Sequence, residues 1–209
     1  MTVVAETGMG KSTLMEWILH QRKYKIVFRS KPDEVEWHQQ KTVRTARSLT
    51  DARVDSYELH PAGDRESRAR EFHTAMEYVY DTGGWTIVID ELFYVNRLSI
   101  PMSGGRSFPL EKDVEDLFTQ GRSKHITVMA GLQRPLNVTR FAISQSRHVL
   151  AGAMENRDAK ELGQATTRRV ETVVPQLRDY DFLWYRRPHS LAVVRLNIET
   201  KELDIEPVE

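Results

Sequence analysis

One short loop near the amino terminus constrains this chain more than any other feature. Ala5-Glu6-Thr7-Gly8-Met9-Gly10-Lys11-Ser12 fits the Walker A pattern, with Ala5 in the first glycine position. Small residues let backbone N–H groups close around phosphates, and a following helix aims its positive N-terminal end at them. Lys11 is placed to reach the β- and γ-phosphates, the Ser12 hydroxyl to bind Mg²⁺, and Thr13 to touch the α-phosphate. The ligands this loop calls for are ATP and Mg²⁺. A surface glycine turn is the competing reading, and the flanking pattern argues against it. Thr2–Ala5 reads as a brief strand, and Lys11–His20 as a helix with Leu14 and Ile18 on one face beside Met15 and Leu19. The strand starts almost at Met1, so it reads either as clipped, with its true start upstream, or as a stub that the fold tolerates.

The rest of the chain alternates short apolar runs with helical patterns, the rhythm of a mostly parallel sheet covered by helices. Strands are expected at Lys25–Phe28, Ser56–Leu59, Trp85–Ile89, Ile126–Ala130 and His148–Gly152, and helices at Arg65–Tyr80 and Leu110–Phe118. Phe182–Tyr185 and Leu191–Asn197 read as an antiparallel pair at the sheet edge. The expected fold is therefore α/β, one domain over residues 1–209, with a core over 1–165 and C-terminal edge strands and tail over 166–209. With 30 Lys+Arg against 30 Asp+Glu the formal net charge is zero, which disfavours a protein that coats nucleic acid with its whole surface but allows a local basic patch. Cysteine is absent, which excludes thiolate–zinc sites and disulfide scaffolds. No apolar run is long enough for a membrane span, so the expectation is a soluble, cytoplasmic protein that meets virion or membrane only through partners.

A second site lies at Trp85-Thr86-Ile87-Val88-Ile89-Asp90-Glu91, a buried-strand pattern ending in two carboxylates. In a parallel sheet, ligands gather at the carboxyl ends of strands, where these acids emerge. Asp90 is the candidate for the Mg²⁺ shell, and Glu91 for orienting and polarising an attacking water. A carboxylate directly after the metal-binding Asp points to nucleotide hydrolysis, since a small-molecule kinase does not need it.

The strand Ile126–Ala130 continues into Gly131-Leu132-Gln133-Arg134-Pro135, and an amide at that tip can feel the γ-phosphate and the lytic water. Val114-Glu115-Asp116-Leu117-Phe118-Thr119-Gln120-Gly121-Arg122, the strand, then Gln133-Arg134-Pro135 resembles the FtsK/HerA family of ring-forming DNA-pumping ATPases, among them the small genome-packaging ATPases of membrane-containing viruses. Ser146-Arg147-His148-Val149-Leu150 is similar to the family's next strand. The resemblance runs to about residue 165 and implies a RecA-like P-loop fold, with Gln133 as sensor and Arg122 offered to the neighbouring subunit's ATP. It also implies a homo-oligomeric ring, most simply a hexamer, acting on double-stranded DNA with a portal or capsid as partner. Leu132 stands where the family usually has Thr, and residues 1–209 show none of the family's DNA-guiding domains, so the expectation is a bare motor like the small packaging ATPases.

A ring motor grips its polymer with loops. The longest candidate is Asn96–Pro109, where Arg97 and Arg106 can contact phosphates without reading bases; a flexible surface loop is the simpler alternative. The basic stretch Lys41, Arg44, Arg47 and Arg53 is interrupted by Asp51 and reads as a solvated face. Two other functions compete with a DNA motor: an ATPase for protein secretion or filamentous-phage assembly, and a small-molecule kinase.

Overall fold

The computed structural model describes residues 1–30, 37–39, 41–51, 53–135, 140–188, 190–200 and 202–208. In chain order the strands are β1 (Thr2–Val4), β2 (Lys25–Phe28), β3 (Lys41–Val43), β4 (Ser56–Leu59), β5 (Thr86–Ile89), β6 (Ser99–Pro101), β7 (Ser107–Pro109), β8 (Thr127–Leu132), β9 (His148–Gly152), β10 (Asp181–Arg186), β11 (Ser190–Leu196) and β12 (Leu203–Pro207). The helices are α1 (Lys11–His20), α2 (Arg65–Thr82), α3 (Leu92–Asn96), α4 (Glu111–Gln120), α5 (Arg140–Gln145), α6 (Asn156–Ala165) and α7 (Arg168–Val173). The chain divides into two compact units, Met1–Ile18 with Ala130–Glu209, and Leu19–Met129.

In the first unit the strand order is β12-β11-β10-β9-β1-β8. β1 runs parallel to both neighbours, with Val3 opposite Gly131 on β8 and Leu150 on β9. Val3 and Val4 are fully buried, as a strand covered on both faces requires. The buried Thr2 hydroxyl donates to the Ala142 carbonyl (3.0 Å) and lies 2.7 Å from Ser146 Oγ, so its burial leaves no polar group orphaned. The C-terminal strands reverse direction: β10 pairs antiparallel with β9 and with β11. The antiparallel pair forms as expected, but it is not the edge, because β12 adds outside β11. That strand is mostly exposed and carries charged residues at alternate positions, so it has no buried face from which a period-2 signal could arise.

In the second unit β5, β2, β4 and β3 lie side by side and parallel, and Thr127 on β8 continues the row by donating to the Trp85 carbonyl. α2 starts where the Asp64 carboxylate accepts from the Ser67 N–H (2.8 Å) and stops at Gly83, whose φ of +65° ends the helix. A Cβ on Gly83 would fall 2.7 Å from the Lys124 carbonyl oxygen, so glycine is required there on two grounds. The face of α2 carrying Ala69, Phe72, Met76 and Val79 is buried, as its spacing predicts. Phe72 stacks on Phe28, ring centroids 4.8 Å apart. His73 is hydrogen-bonded to Asp113 (2.8 Å), joining α2 to α4; burial pushes the Asp113 carboxyl up against the opposing pull of His73.

The residues 96–109 are not one open loop. β6 and β7 form an antiparallel hairpin, Ser99 opposite Pro109 and Pro101 opposite Ser107, around a turn at Ser103–Gly105. Strands of three residues are too short to show alternation in sequence. Within the basic stretch, Lys41 and Arg53 both reach Asp51 (3.5 and 3.3 Å), and the Arg53 bonds hold that carboxyl low. Among the described residues, no helix is long and apolar enough to cross a membrane.

Truncating Phe72 removes one ring of a fully buried stack. Phe72→Ala should cost about 3–5 kcal/mol of stability, read as a lowered urea midpoint.

Candidate active site

The loop after β1 is built by its neighbours. Ala5 N–H still donates to the Leu132 carbonyl (3.0 Å), so the ladder with β8 runs one residue past the strand. Met9 N–H then bends back to the Glu6 carbonyl, and Leu14 N–H to Gly10 opens α1. Gly8 and Gly10 hold φ of +86° and +77°, left-handed values that L side chains adopt only at a cost. The loop backbone therefore turns twice in a way these glycines permit. A Cβ on Gly8 would meet nothing, whereas one on Gly10 would meet Leu196, Tyr180 and Ile198. The loop has one open side and one packed side. Lys11, the first residue of α1, is 8% exposed; Ser12 and Thr13 follow it half-buried. At the start of the loop, a Cβ on Gly152 would lie 2.9 Å from the Ala5 Cβ, so β9 leaves room for alanine and nothing larger.

At the end of β8, Gln133 is the first residue past the strand and is half-buried. Arg134 next to it is exposed, with Nε 3.9 Å from Asp158 Oδ2. Asp158 sits in the first turn of α6 and is 2% exposed, and its Oδ1 finds no hydrogen-bond partner among the described residues. Asp158 carries no signal in the sequence. A lone Asp in a polar helix gives no sign that packing will bury it behind an arginine. Residues 136–139, just beyond Pro135, lie outside the described residues.

In the second unit all four residues of β5 are buried, and Asp90 and Glu91 follow at its carboxyl end, 3% and 7% exposed. The Glu91 carbonyl accepts from Tyr94 and Val95 (3.1 and 3.3 Å), so α3 locks the backbone that carries both acids. Both are buried oxygen donors, the ligand type that a hard divalent cation takes. Asp90 and, in the first unit, the Ser12 hydroxyl offer oxygen donors of the type Mg²⁺ takes. Arg122 is exposed on the short turn Gly121–Lys124, which is closed by Ile126 N–H on the Gly121 carbonyl (2.9 Å). Arg97 and Arg106 are both exposed but do not share a place on the hairpin. Arg106 is at its tip beside Met102, while Arg97 is at its base with its guanidinium 5.1 Å from the Phe93 ring.

Three likenesses to known proteins follow this geometry. The chain is 28% identical over 149 residues to the DNA packaging ATPase P9 of Enterobacteria phage PRD1, an alignment covering 69% of this chain and 59% of that one; the chain thus spans about three fifths of the relative's length. The genome packaging NTPase B204 of Sulfolobus turreted icosahedral virus 2, in complex with ATPγS, superposes with a TM-score of 0.69 at 13% identity, covering 100% of this chain and 97% of that one. The pCW3 conjugation coupling protein TcpA with ATPγS gives a TM-score of 0.61 at 15% identity, covering 90% and 57%. No protein-family model matches the chain. The fold is that of the P-loop ATPases, a mostly parallel sheet flanked by helices with antiparallel strands near the C-terminus.

Because Gly10 combines a left-handed φ with a packed flank, Gly10→Ala should lower stability by about 1–2 kcal/mol. Gly8→Ala, strained but sterically open, should cost less. Parallel urea melts of the two variants check this.

Proposed function

We propose that this chain is an ATP-hydrolysing ring motor that moves double-stranded DNA, the genome-packaging ATPase of a virus or mobile element. The observation that carries the reading is the occurrence, in one P-loop chain, of a glycine-shaped phosphate loop and a buried Asp90-Glu91 pair at a strand's carboxyl end. The alignment with a packaging ATPase over 149 residues supports DNA as the polymer. The motor works in the cytoplasm as a homo-oligomer, a hexamer by the family resemblance, and delivers DNA through a portal or capsid partner.

The N–H groups of residues Glu6–Lys11 cradle the β- and γ-phosphates, and the Lys11 ammonium spreads their negative charge. Thr13 contacts the α-phosphate, and Ser12 and Asp90 are the ligands for Mg²⁺. Held there, Mg²⁺ would supply positive charge against the phosphate oxygens. Glu91 accepts a hydrogen bond from the attacking water and aligns it in line with the γ-phosphate. Gln133 reads whether the γ-phosphate is present. Arg122, exposed on a turn closed by backbone bonds, is offered to the ATP of the next subunit, where a guanidinium stabilises transition-state charge. Arg106 at the hairpin tip and Arg97 at its base contact DNA phosphates without reading sequence.

Double-stranded DNA should stimulate ATP hydrolysis, and Glu91→Gln should keep Mg·ATP binding while losing about 10²–10⁴-fold in turnover. Steady-state rates with and without DNA, beside equilibrium ATP binding, test both statements. A variant turning over within a few-fold of the parent removes Glu91 from the mechanism, and DNA-insensitive hydrolysis removes the polymer.

Trans donation by Arg122 has its own test. Arg122→Ala alone should be nearly inactive, as should Glu91→Gln. Rings mixed from the two should regain measurable ATPase at interfaces that join an intact Glu91 to an intact Arg122. No recovery in demonstrably mixed rings refutes it.

A further inference from the structure

The packed flank of the phosphate loop carries two exposed apolar groups with no part in phosphate chemistry. A Cβ on Gly10 would lie 3.1 Å from Leu196 Cδ2, 3.2 Å from Tyr180 Cδ1 and 3.9 Å from Ile198 Cδ1. Leu196 is buried, as an ordinary packing residue would be. Tyr180 and Ile198 are not: each is 38% exposed, so an aromatic ring and a branched alkyl group stand in solvent directly beside the loop.

Both stand on fixed supports. Tyr180 holds φ of +67°, a left-handed conformation that a bulky L residue seldom adopts. Its carbonyl accepts from the Leu196 N–H (3.1 Å), which ties the residue before β10 to the end of β11. Ile198 rides on a turn that closes on itself. Asn197 N–H donates to the Glu202 carbonyl (3.0 Å), and the Asn197 side-chain oxygen accepts from the N–H groups of Glu199 and Thr200 (3.0 and 3.1 Å). The amide oxygen of Asn197 is thereby spent on its own turn. Tyr180 and Ile198 keep part of their apolar surface exposed.

An open groove borders Leu196, their neighbour on that flank. Thr13 and Trp17 are four residues apart on α1 and so share a face of that helix. Trp17 is 36% exposed and lines an open groove of about 680 Å³ whose walls include Leu196 and Asn197. Leu196 thus belongs both to the packed flank of Gly10 and to the groove that Trp17 lines, one helical turn beyond Thr13. A nucleotide whose phosphates lie at Lys11–Thr13 has a flat, partly apolar base still to place, and such bases rest on aromatic faces.

We propose that Tyr180 and Ile198 form the nucleobase seat of this ATPase: the base stacks on the Tyr180 ring against Ile198, on the side of the loop that opens toward Trp17. The proposal rests on the nucleotide reading above and adds the base-contacting residues to it.

The test separates base from phosphate. The full chain is titrated calorimetrically with Mg·ATP and, separately, with Mg·tripolyphosphate, which has the phosphate chain and no base. In Tyr180→Ala, ATP affinity should fall by about 10-fold or more, the scale of a lost base stack, while tripolyphosphate affinity stays within 2-fold of the parent. Tyr180→Phe keeps the ring and should restore ATP binding. Retained tripolyphosphate binding also certifies that the variant's loop is folded. Unchanged ATP affinity in Tyr180→Ala overturns the proposal, as does equal weakening of both ligands, which would make Tyr180 a mere prop of the loop. A parent chain that binds neither ligand defeats the phosphate-loop reading, and this proposal with it.

Discussion

The candidate phosphate loop hangs on a strand of three residues. Its hold comes from position: β1 is paired on both sides, to β8 and β9, and each of its residues is buried. At an edge so short a strand would fray. Between two parallel partners, and with Thr2 bonded through its hydroxyl to Ala142 and Ser146, it becomes a fixed origin for the turn that follows. The match extends to single methyl groups. Ala5 occupies a place that commonly takes glycine, and Gly152 opposite it supplies the missing space. A larger residue at either position would push the loop away from β9 at its root.

A comparable economy holds in the second unit. Asp90 and Glu91 are kept in place by backbone bonds at both ends of their segment: the Thr86 N–H donates to the Tyr24 carbonyl before it, and the Glu91 carbonyl caps α3 after it. The turn bearing Arg122 is anchored the same way. Gly83 ends α2 with a positive φ that lets Lys124 approach, and Gly84 N–H then donates to the Lys124 carbonyl (2.9 Å). Backbone hydrogen bonds, rather than side-chain packing, present the exposed guanidinium. That suits the trans role proposed for Arg122, because the residue stays exposed.

The C-terminal strands do more than complete a sheet. Their reversal brings Tyr180, before β10, and Leu196, at the end of β11, back beside the loop that begins the chain. Residues separated by most of the sequence therefore share one flank of the candidate nucleotide site.

How much of this was legible beforehand depends on whether the signal was local. Gly8, Gly10, Lys11 and Ser12 announce themselves because a phosphate cradle needs specific residues at fixed spacing along one turn. Trp85–Ile89 was readable because a strand buried on both faces must be apolar throughout, and α2 because its buried face repeats every three to four residues. The hairpin β6–β7 and strand β12 were not, since three paired residues or a strand without a buried face leave no periodic trace. Asp158 and Tyr180 were invisible for a different reason. Nothing in their own neighbourhoods distinguishes a buried carboxylate from a solvated one, or an exposed ring from a core ring. The sequence by itself determined the loop, the acidic strand end and the α/β rhythm, because each is written in adjacent residues. Only the tertiary structure decided what lies against the loop, because contacts such as Gly10 with Tyr180 and Leu196 depend on where distant strands return, and no local pattern encodes that.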